Sequence, residues 1–186
     1  MSPRPNSTPE EILDITFNLI AEYDISGVTV DKVAERAGVS KATIYRRWSS
    51  RDVLFRDAMT RLRKMNSNPD TGSLRADLII LVDELVRFLN GPGTSKVLLS
   101  FLNSAVREPE LTNLQKDISQ GARSNYKTAI KRAIGRGELD MKTDVRLMID
   151  MIIAPFLYQG VVEHTRVRSR DIEKIVDKVI ASFSAR

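Results

Sequence analysis

The side chains best suited to binding another molecule are concentrated between residues 40 and 51. They carry hydroxyl groups or positive charge: Ser40, Lys41, Thr43, Tyr45, Arg46, Arg47 and Arg51. Lysine and arginine can donate to phosphate oxygens and to the edges of bases, and hydroxyl groups can donate to phosphates. These residue types predict a surface that binds a nucleic acid.

The charge of the chain is concentrated in the same region. The 186 residues have a net charge of only +5. Residues 36–65 contain nine basic and two acidic residues, a net charge of +7, so this window exceeds the total for the whole chain. A charged run is most often a solvated face, but this one coincides with a structural motif, which favours a binding role.

The motif is a pair of short helices joined by a tight turn. Ala34 and Ala37 are small enough for two helices to approach closely, and Gly38 permits a left-handed turn. Val39 would fill the corner from inside, and Ser40 is a good N-cap for the second helix. The pattern predicts a helix-turn-helix.

The second helix of this motif has an apolar back and a polar front. Ile44 and Trp48, four residues apart, would bury one side. The opposite side displays Lys41, Ala42, Tyr45 and Arg46. A helix with this division fits the major groove of double-stranded DNA. The alternative is an ordinary helical hairpin whose basic face is only solvated.

The rest of the chain has helical periodicity, with Asn66–Ser73 as the best linker. Pro155 should kink the helix that contains it, because proline removes a backbone donor. We predict an all-α protein with a DNA-binding domain at 1–65 and a ligand-binding and dimerisation domain at 66–186. We predict nine helices, the first of which begins at Pro9 and is stopped by Gly27. The other eight are Val30–Ala37, Lys41–Trp48, Arg51 to about Met65, Leu74–Leu89, Lys96–Arg107, Leu111–Ile134, Thr143–Thr165 and Asp171–Phe183.

Nothing in the sequence favours catalysis. There are no cysteines, and His164 is the only histidine, so we predict no metal site and no cofactor. The carboxylates of Glu10–Glu11 and Asp83–Glu84 would diverge on a helix, and there is no glycine-rich phosphate loop. The N-terminus lacks a signal-peptide pattern, and the apolar runs are too short to cross a membrane. We therefore expect a cytoplasmic protein that is not an enzyme.

Residues 29–54 (TVDKVAERAGVSKATIYRRWSSRDVL) resemble the signature of the TetR family of transcriptional regulators. The resemblance is strong over about residues 10–60, and beyond that it extends only to the number, length and order of the helices. The chain departs from the usual family pattern at three positions. Arg47 replaces a histidine, Trp48 a phenylalanine and Arg51 a lysine. Arginine at positions 47 and 51 keeps the affinity for phosphate and adds forked donors, and Trp48 keeps an aromatic wedge in the core.

The resemblance implies roles for individual residues. Lys41, Ala42, Thr43 and Arg46 would approach bases. Thr29, Tyr45, Arg47 and Arg51 would hold phosphates, with Ser40 capping the recognition helix. The implied function is a repressor that an unknown small-molecule effector releases from an inverted-repeat operator.

The C-terminal helices would supply the ligand pocket and the dimer. The family resemblance implies a homodimer through about 143–165 and 171–183. The candidate pocket residues are Phe88, Phe101, Leu102, Tyr126, Met148, Met151 and Phe156, each of which is explained equally well as ordinary core. Two other functions stay open: a helical adaptor whose hairpin binds protein, and a small-molecule-binding protein or enzyme with a vestigial DNA-binding head.

Overall fold

The computed structural model describes residues 7–59, 67–105 and 109–184, and these residues form helices without any strand. The all-α prediction is therefore confirmed. The helices are α1 (Pro9–Gly27), α2 (Val30–Ala37), α3 (Lys41–Arg47), α4 (Arg51–Met59), α5 (Leu74–Leu89), α6 (Thr94–Ala105), α7 (Pro109–Gly135), α8 (Val145–Leu157) and α9 (Asp171–Phe183), and a π-helical turn, Tyr158–Val162, follows α8.

Most predicted helix boundaries agree with the structure to within two residues. Helix α6 begins at Thr94 rather than at Lys96, and α7 at Pro109 rather than at Leu111. The predicted ends of the fourth helix near Met65 and of the sixth at Arg107 lie outside the described residues.

The chain forms two compact units that do not follow the linear sequence. One contains Met1–Lys64 and Gly93–Ile118, and the other contains Met65–Pro92 and Ser119–Arg186. Helix α6 thus belongs with the N-terminal helices, and α7 runs through both units. The functional division that we predict between 1–65 and 66–186 stays a prediction.

Helix α1 begins at a capping box and is interrupted near its end. The Thr8 hydroxyl accepts from the Glu11 amide at 3.3 Å, and the Glu11 carboxylate accepts from the Thr8 amide at 2.8 Å. Ile12, Leu19 and Ile20 form its buried face. Asp24 (φ 62°, ψ 160°) breaks the helix, an interruption that the periodicity does not predict.

Helices α2 and α3 are joined by the turn that the sequence predicts. Gly38 has a left-handed conformation (φ 67°), and its amide donates to the carbonyls of Ala34 and Glu35. Thr29 caps α2 by accepting from the Lys32 amide at 3.2 Å, and Ser40 caps α3. The caps satisfy amides that a free helix end would leave without partners.

The C-terminal unit is built on α5, α7, α8 and α9. The buried Tyr126 of α7 donates its hydroxyl to the Leu81 carbonyl of α5 at 2.9 Å. Burial raises the pKa of Tyr126 above its ordinary value, and the Glu84 carboxylate raises it further. Helix α8 continues through Pro155 but ends at Leu157, where the π-helical turn begins, so the predicted helix end at Thr165 is wrong.

Arg75 on α5 is linked to two carboxylates of α9. Its guanidinium donates to Asp177 at 2.7 Å and to Glu173 at 2.9 Å. The hydrogen bond from Arg75 lowers the pKa of Asp177. These side chains are about half exposed, so the solvent screens the pairing and the buried contacts dominate the stability of the unit.

We expect Tyr126→Phe to lower the free energy of unfolding by about 1 kcal/mol, because one buried hydrogen bond is lost while the aromatic packing is kept. Urea denaturation followed by circular dichroism measures this difference. Tyr23→Phe is the matched control, since Tyr23 is 45% exposed. Equal stability of the two variants would contradict a stabilising role for the Tyr126 hydroxyl.

Candidate nucleic-acid interface

Helix α3 is divided into a buried and an exposed side, as its sequence predicts. Ile44 and the following Trp48 are 1% and 2% exposed, and the Trp48 indole donates to the Asp57 carboxylate of α4 at 2.8 Å. The exposed residues are Lys41, Ala42, Tyr45, Arg46 and Arg47. The helix therefore presents a basic surface while its back is fixed to α4.

The N-terminus of α3 is closed by two hydroxyl groups. The Ser40 hydroxyl accepts from the Thr43 amide at 3.1 Å, and the two hydroxyl oxygens lie 3.0 Å apart. Ser40 therefore has a clear structural role as an N-cap, whereas its contact with DNA stays a prediction.

Four of the predicted contact residues line a single cleft beside α3. Its volume is about 290 Å³, and it is lined by Ser26, Val28, Thr29, Val30, Asp31, Lys41, Tyr45 and Arg51. Thr29, Lys41, Tyr45 and Arg51 come from three different parts of the sequence. The fold thus brings together residues that sequence spacing alone does not place side by side.

Four other predicted contact residues line a second cleft. This cleft has a volume of about 550 Å³, and it is lined by Ser7, Pro9, Ile12, Gly38, Val39, Ser40, Thr43, Arg46, Arg47 and Trp48. The Ser7 hydroxyl donates to the Ala37 carbonyl at 2.7 Å, which ties the start of the described chain to the helix-turn-helix. Ala42 is exposed and lines neither of the two clefts described here.

The basic side chains of this surface differ in their intramolecular partners. Lys41 forms an ion pair with Asp31, and both side chains are more than half exposed. An exposed pair of this kind contributes little stability, so Lys41 can exchange Asp31 for another acceptor at small cost. The Arg47 guanidinium lies 5.9 Å from the centre of the Trp48 ring.

Arg51 has an intramolecular role that sequence reasoning missed. Its guanidinium donates to the Ile25 carbonyl at 2.5 Å and to the Val28 carbonyl at 3.1 Å, and it lies 4.6 Å from the centre of the Phe55 ring. The phosphate contact predicted for Arg51 stays a prediction. No local sequence signal identifies this role, because Arg51 and Ile25 are 26 residues apart.

The seven predicted pocket residues fall in both units. Phe101 and Leu102 are in the N-terminal unit, with Phe101 buried and Leu102 43% exposed. Tyr126, Met148 and Phe156 are buried in the C-terminal unit. In the same unit Phe88 is half-buried. The pocket assignment of these residues stays a prediction.

Met151 is the one member of that set that lines a large open groove in the C-terminal unit. The groove has a volume of about 1150 Å³, and Tyr158, Arg166 and Arg168 also line it. Sequence reasoning missed Arg166 and Arg168, although the basic run between α8 and α9 is a signal that could have indicated them. No group of three or more metal-ligating side chains occurs in residues 7–59, 67–105 and 109–184.

Two family models match most of the chain. The model described as "Bacterial regulatory proteins, tetR family" matches residues 12–58, and "Tetracyclin repressor-like, C-terminal domain" matches residues 68–179. The HTH-type transcriptional regulator YdeS of Bacillus subtilis is 31% identical over 94% of this chain and 88% of its own length. AqdR of Rhodococcus erythropolis is 34% identical over 75% of this chain and 68% of its own length.

Solved structures show the same fold. FadR of Bacillus subtilis in complex with stearoyl-CoA superimposes with a TM-score of 0.78 at 17% identity, covering 95% of this chain and 100% of that one. A TetR-family regulator from Rhodococcus sp. gives a TM-score of 0.75 at 20% identity, covering 95% and 98%. With the helix-turn-helix and the exposed basic face of α3, these matches show that the chain belongs to the TetR family of DNA-binding transcriptional regulators and is not an enzyme.

Proposed function

We propose that the protein is a cytoplasmic homodimeric repressor that binds an inverted-repeat operator and is released by a small molecule. The observation that carries this proposal is the exposed face of α3 between two clefts. A helix fits the major groove with its exposed side chains at base edges, while donors on either side contact the phosphates of the two strands.

The predicted residues divide between these two kinds of contact. Lys41, Ala42, Thr43 and Arg46 would approach the bases. Thr29, Tyr45, Arg47 and Arg51 would hold phosphates. Because Arg47 replaces the usual family histidine and is exposed, we expect a stronger, forked contact with phosphate at that position.

Dimerisation is supported by an apolar face of α8. Leu147, Met151, Ala154 and Tyr158 recur at helical spacing, and all four are exposed. Contrary to the expectation that the apolar runs are too short, the stretch Val145–Val162 is long and apolar enough to cross a membrane by length and composition alone, and 33% of it is buried. We propose that a second copy covers this face with α8 and α9, because two half-sites require two recognition helices.

Release by an effector requires two conformations that bind it differently. We propose that an effector bound in the C-terminal unit favours a conformer whose recognition helices no longer match the spacing of the half-sites. Stearoyl-CoA is the first compound to test, because FadR, which has the same fold, was solved in complex with it. Unchanged operator affinity in saturating stearoyl-CoA and a panel of other effectors would contradict this release mechanism.

The decisive experiment for the proposal is selection of duplexes from a random DNA pool by the purified protein. An enriched inverted repeat is expected, because a two-fold symmetric dimer recognises two half-sites. Failure to enrich any sequence, together with weak and salt-insensitive binding, would overturn the proposal in favour of the protein-binding adaptor.

We expect Arg47→Ala and Lys41→Ala to weaken DNA binding in different ways. Arg47→Ala should lower the affinity for all sequences and reduce the salt dependence by about one phosphate contact. Lys41→Ala should change the preferred bases at defined positions of the half-site. Fluorescence anisotropy at several salt concentrations and repeated selection measure these two effects.

Arg87→Ala is the matched control for these variants, because Arg87 is an exposed arginine on α5 in the other unit. It should bind DNA as the unmodified protein does. A uniform loss of affinity in Lys41→Ala, without any change in base preference, would remove Lys41 from the base-reading set.

We expect Met151→Lys to produce monomers, because it places a charge in the centre of the apolar face of α8. Sedimentation velocity measures the change in mass, and the monomer should bind an isolated half-site without cooperativity. Met141→Lys is the matched control, since Met141 is 82% exposed outside any helix. A Met151→Lys protein that remains dimeric would contradict the interface proposed here.

A further inference from the structure

Residues 25–29 comprise the last three residues of α1, which follow its interruption, and the two residues that lead to α2, and they are held in place by side chains from two other helices. We name these five residues the connector. It begins immediately after Asp24, where the positive φ interrupts α1. An interrupted helix leaves amides and carbonyls without their usual partners, and burial makes those groups costly to leave unsatisfied.

Helix α6 satisfies the first amide of the connector. The Ile25 amide donates to the Ser100 hydroxyl at 2.7 Å, and both residues are buried. The two positions are 75 residues apart, so this hydrogen bond exists only because α6 packs against α1. A hydrogen bond weakens steeply with distance and angle, whereas apolar contacts tolerate sliding. Ser100 therefore makes the position of the connector sensitive to that of α6.

Helix α4 satisfies the carbonyls of the same segment. The Arg51 guanidinium donates to the Ile25 and Val28 carbonyls, as described above. The connector is therefore held from both sides, at one amide by Ser100 and at two carbonyls by Arg51. Ile25 and Val28 are fully buried, which leaves water little access to replace these partners.

The close approach of α6 to α1 depends on a glycine. Gly93, just before α6, has φ +75°, and a Cβ at this position would lie 2.9 Å from the Cβ of Ala21. Val97 and Phe101 bury the adjoining face of α6. This contact gives α6 a defined position against α1, which the hydrogen bond from Ile25 to Ser100 requires.

The other end of the connector reaches the candidate DNA-binding surface. Val28 and Thr29 line the cleft of about 290 Å³ together with Lys41 and Tyr45. A displacement of the connector therefore changes the shape of this cleft directly.

We infer that Ser100 and Arg51 are positioning residues that together hold the connector in place beside the candidate DNA-binding surface, and that loosening the connector weakens DNA binding. This inference rests on the proposed operator binding. Arg51 then affects DNA binding through the backbone carbonyls of the connector that it holds, in addition to any contact with phosphate.

The test compares Ser100→Ala with Ser104→Ala in the full-length protein. Both serines are buried on α6, one helical turn apart, so the two variants lose the same group from the same helix. Hydrogen exchange of residues 25–29 is measured without DNA, and affinity is measured on the selected operator. Only Ser100→Ala should accelerate exchange in the connector, and it should lower affinity by about tenfold through the unsatisfied Ile25 amide.

A second variant, Arg51→Lys, separates positioning from charge. Lysine keeps the positive charge but cannot donate to two carbonyls through a rigid fork. We expect faster exchange in the connector and weaker operator binding. The effects of Arg51→Lys and Ser100→Ala on affinity should be non-additive, because both side chains act on the same segment.

The outcomes distinguish this inference from the proposed function. If the unmodified protein selects no DNA, operator binding fails, while the exchange measurement still tests the connector. If Ser100→Ala matches Ser104→Ala in connector exchange, the positioning role is wrong. If connector exchange rises while operator affinity stays unchanged, the connector does not set DNA affinity, and the inference is overturned.

Discussion

The burial of one side of α3 is the constraint on which the DNA-binding unit depends. The helix has only seven residues, which is too short to be stable in isolation, so its neighbours must hold it in place. Ile44 and Trp48 supply the buried side, and the bond from the Trp48 indole to Asp57 fixes the end of the helix to α4. Because these contacts face inward, Lys41, Tyr45 and the arginines must face outward.

The turn at Gly38 and the connector hold α2 from its two ends. Gly38 takes the left-handed conformation that lets α3 return across α2, and Thr29 caps the opposite end. The connector, which ends at Thr29, follows the break in α1 at Asp24. A non-glycine residue adopts the backbone conformation of Asp24 only when surrounding contacts hold it there. Ser100 and Arg51 are the side chains that supply those contacts, and one of them comes from α6.

The C-terminal unit combines specific hydrogen bonds between its helices and loops with an exposed apolar face on α8. Tyr126 finds a partner in the Leu81 carbonyl, and the Asn90 amide exchanges hydrogen bonds of 3.0 and 2.9 Å with Val167. Helix α8 buries Met148, Ile152 and Phe156, which are spaced four residues apart. Its other side exposes apolar residues, a pattern typical of a surface that binds another protein.

The sequence by itself determined the all-α class, most helix boundaries, and the division of α3 into buried and exposed sides. These features depend on local information: helical periodicity, capping hydroxyls such as Ser40, and a glycine at the turn. Only the tertiary structure decided that Thr29, Lys41 and Tyr45 share a cleft. It also decided that Arg51 donates to the carbonyls of Ile25 and Val28. The packing of α6 with the N-terminal helices is likewise a tertiary feature. The reason is that the approach of Thr29 to α3, of Arg51 to Ile25 and Val28, and of Ser100 to Ile25 joins residues between 12 and 75 positions apart, and it depends on the packing of whole helices rather than on any local pattern.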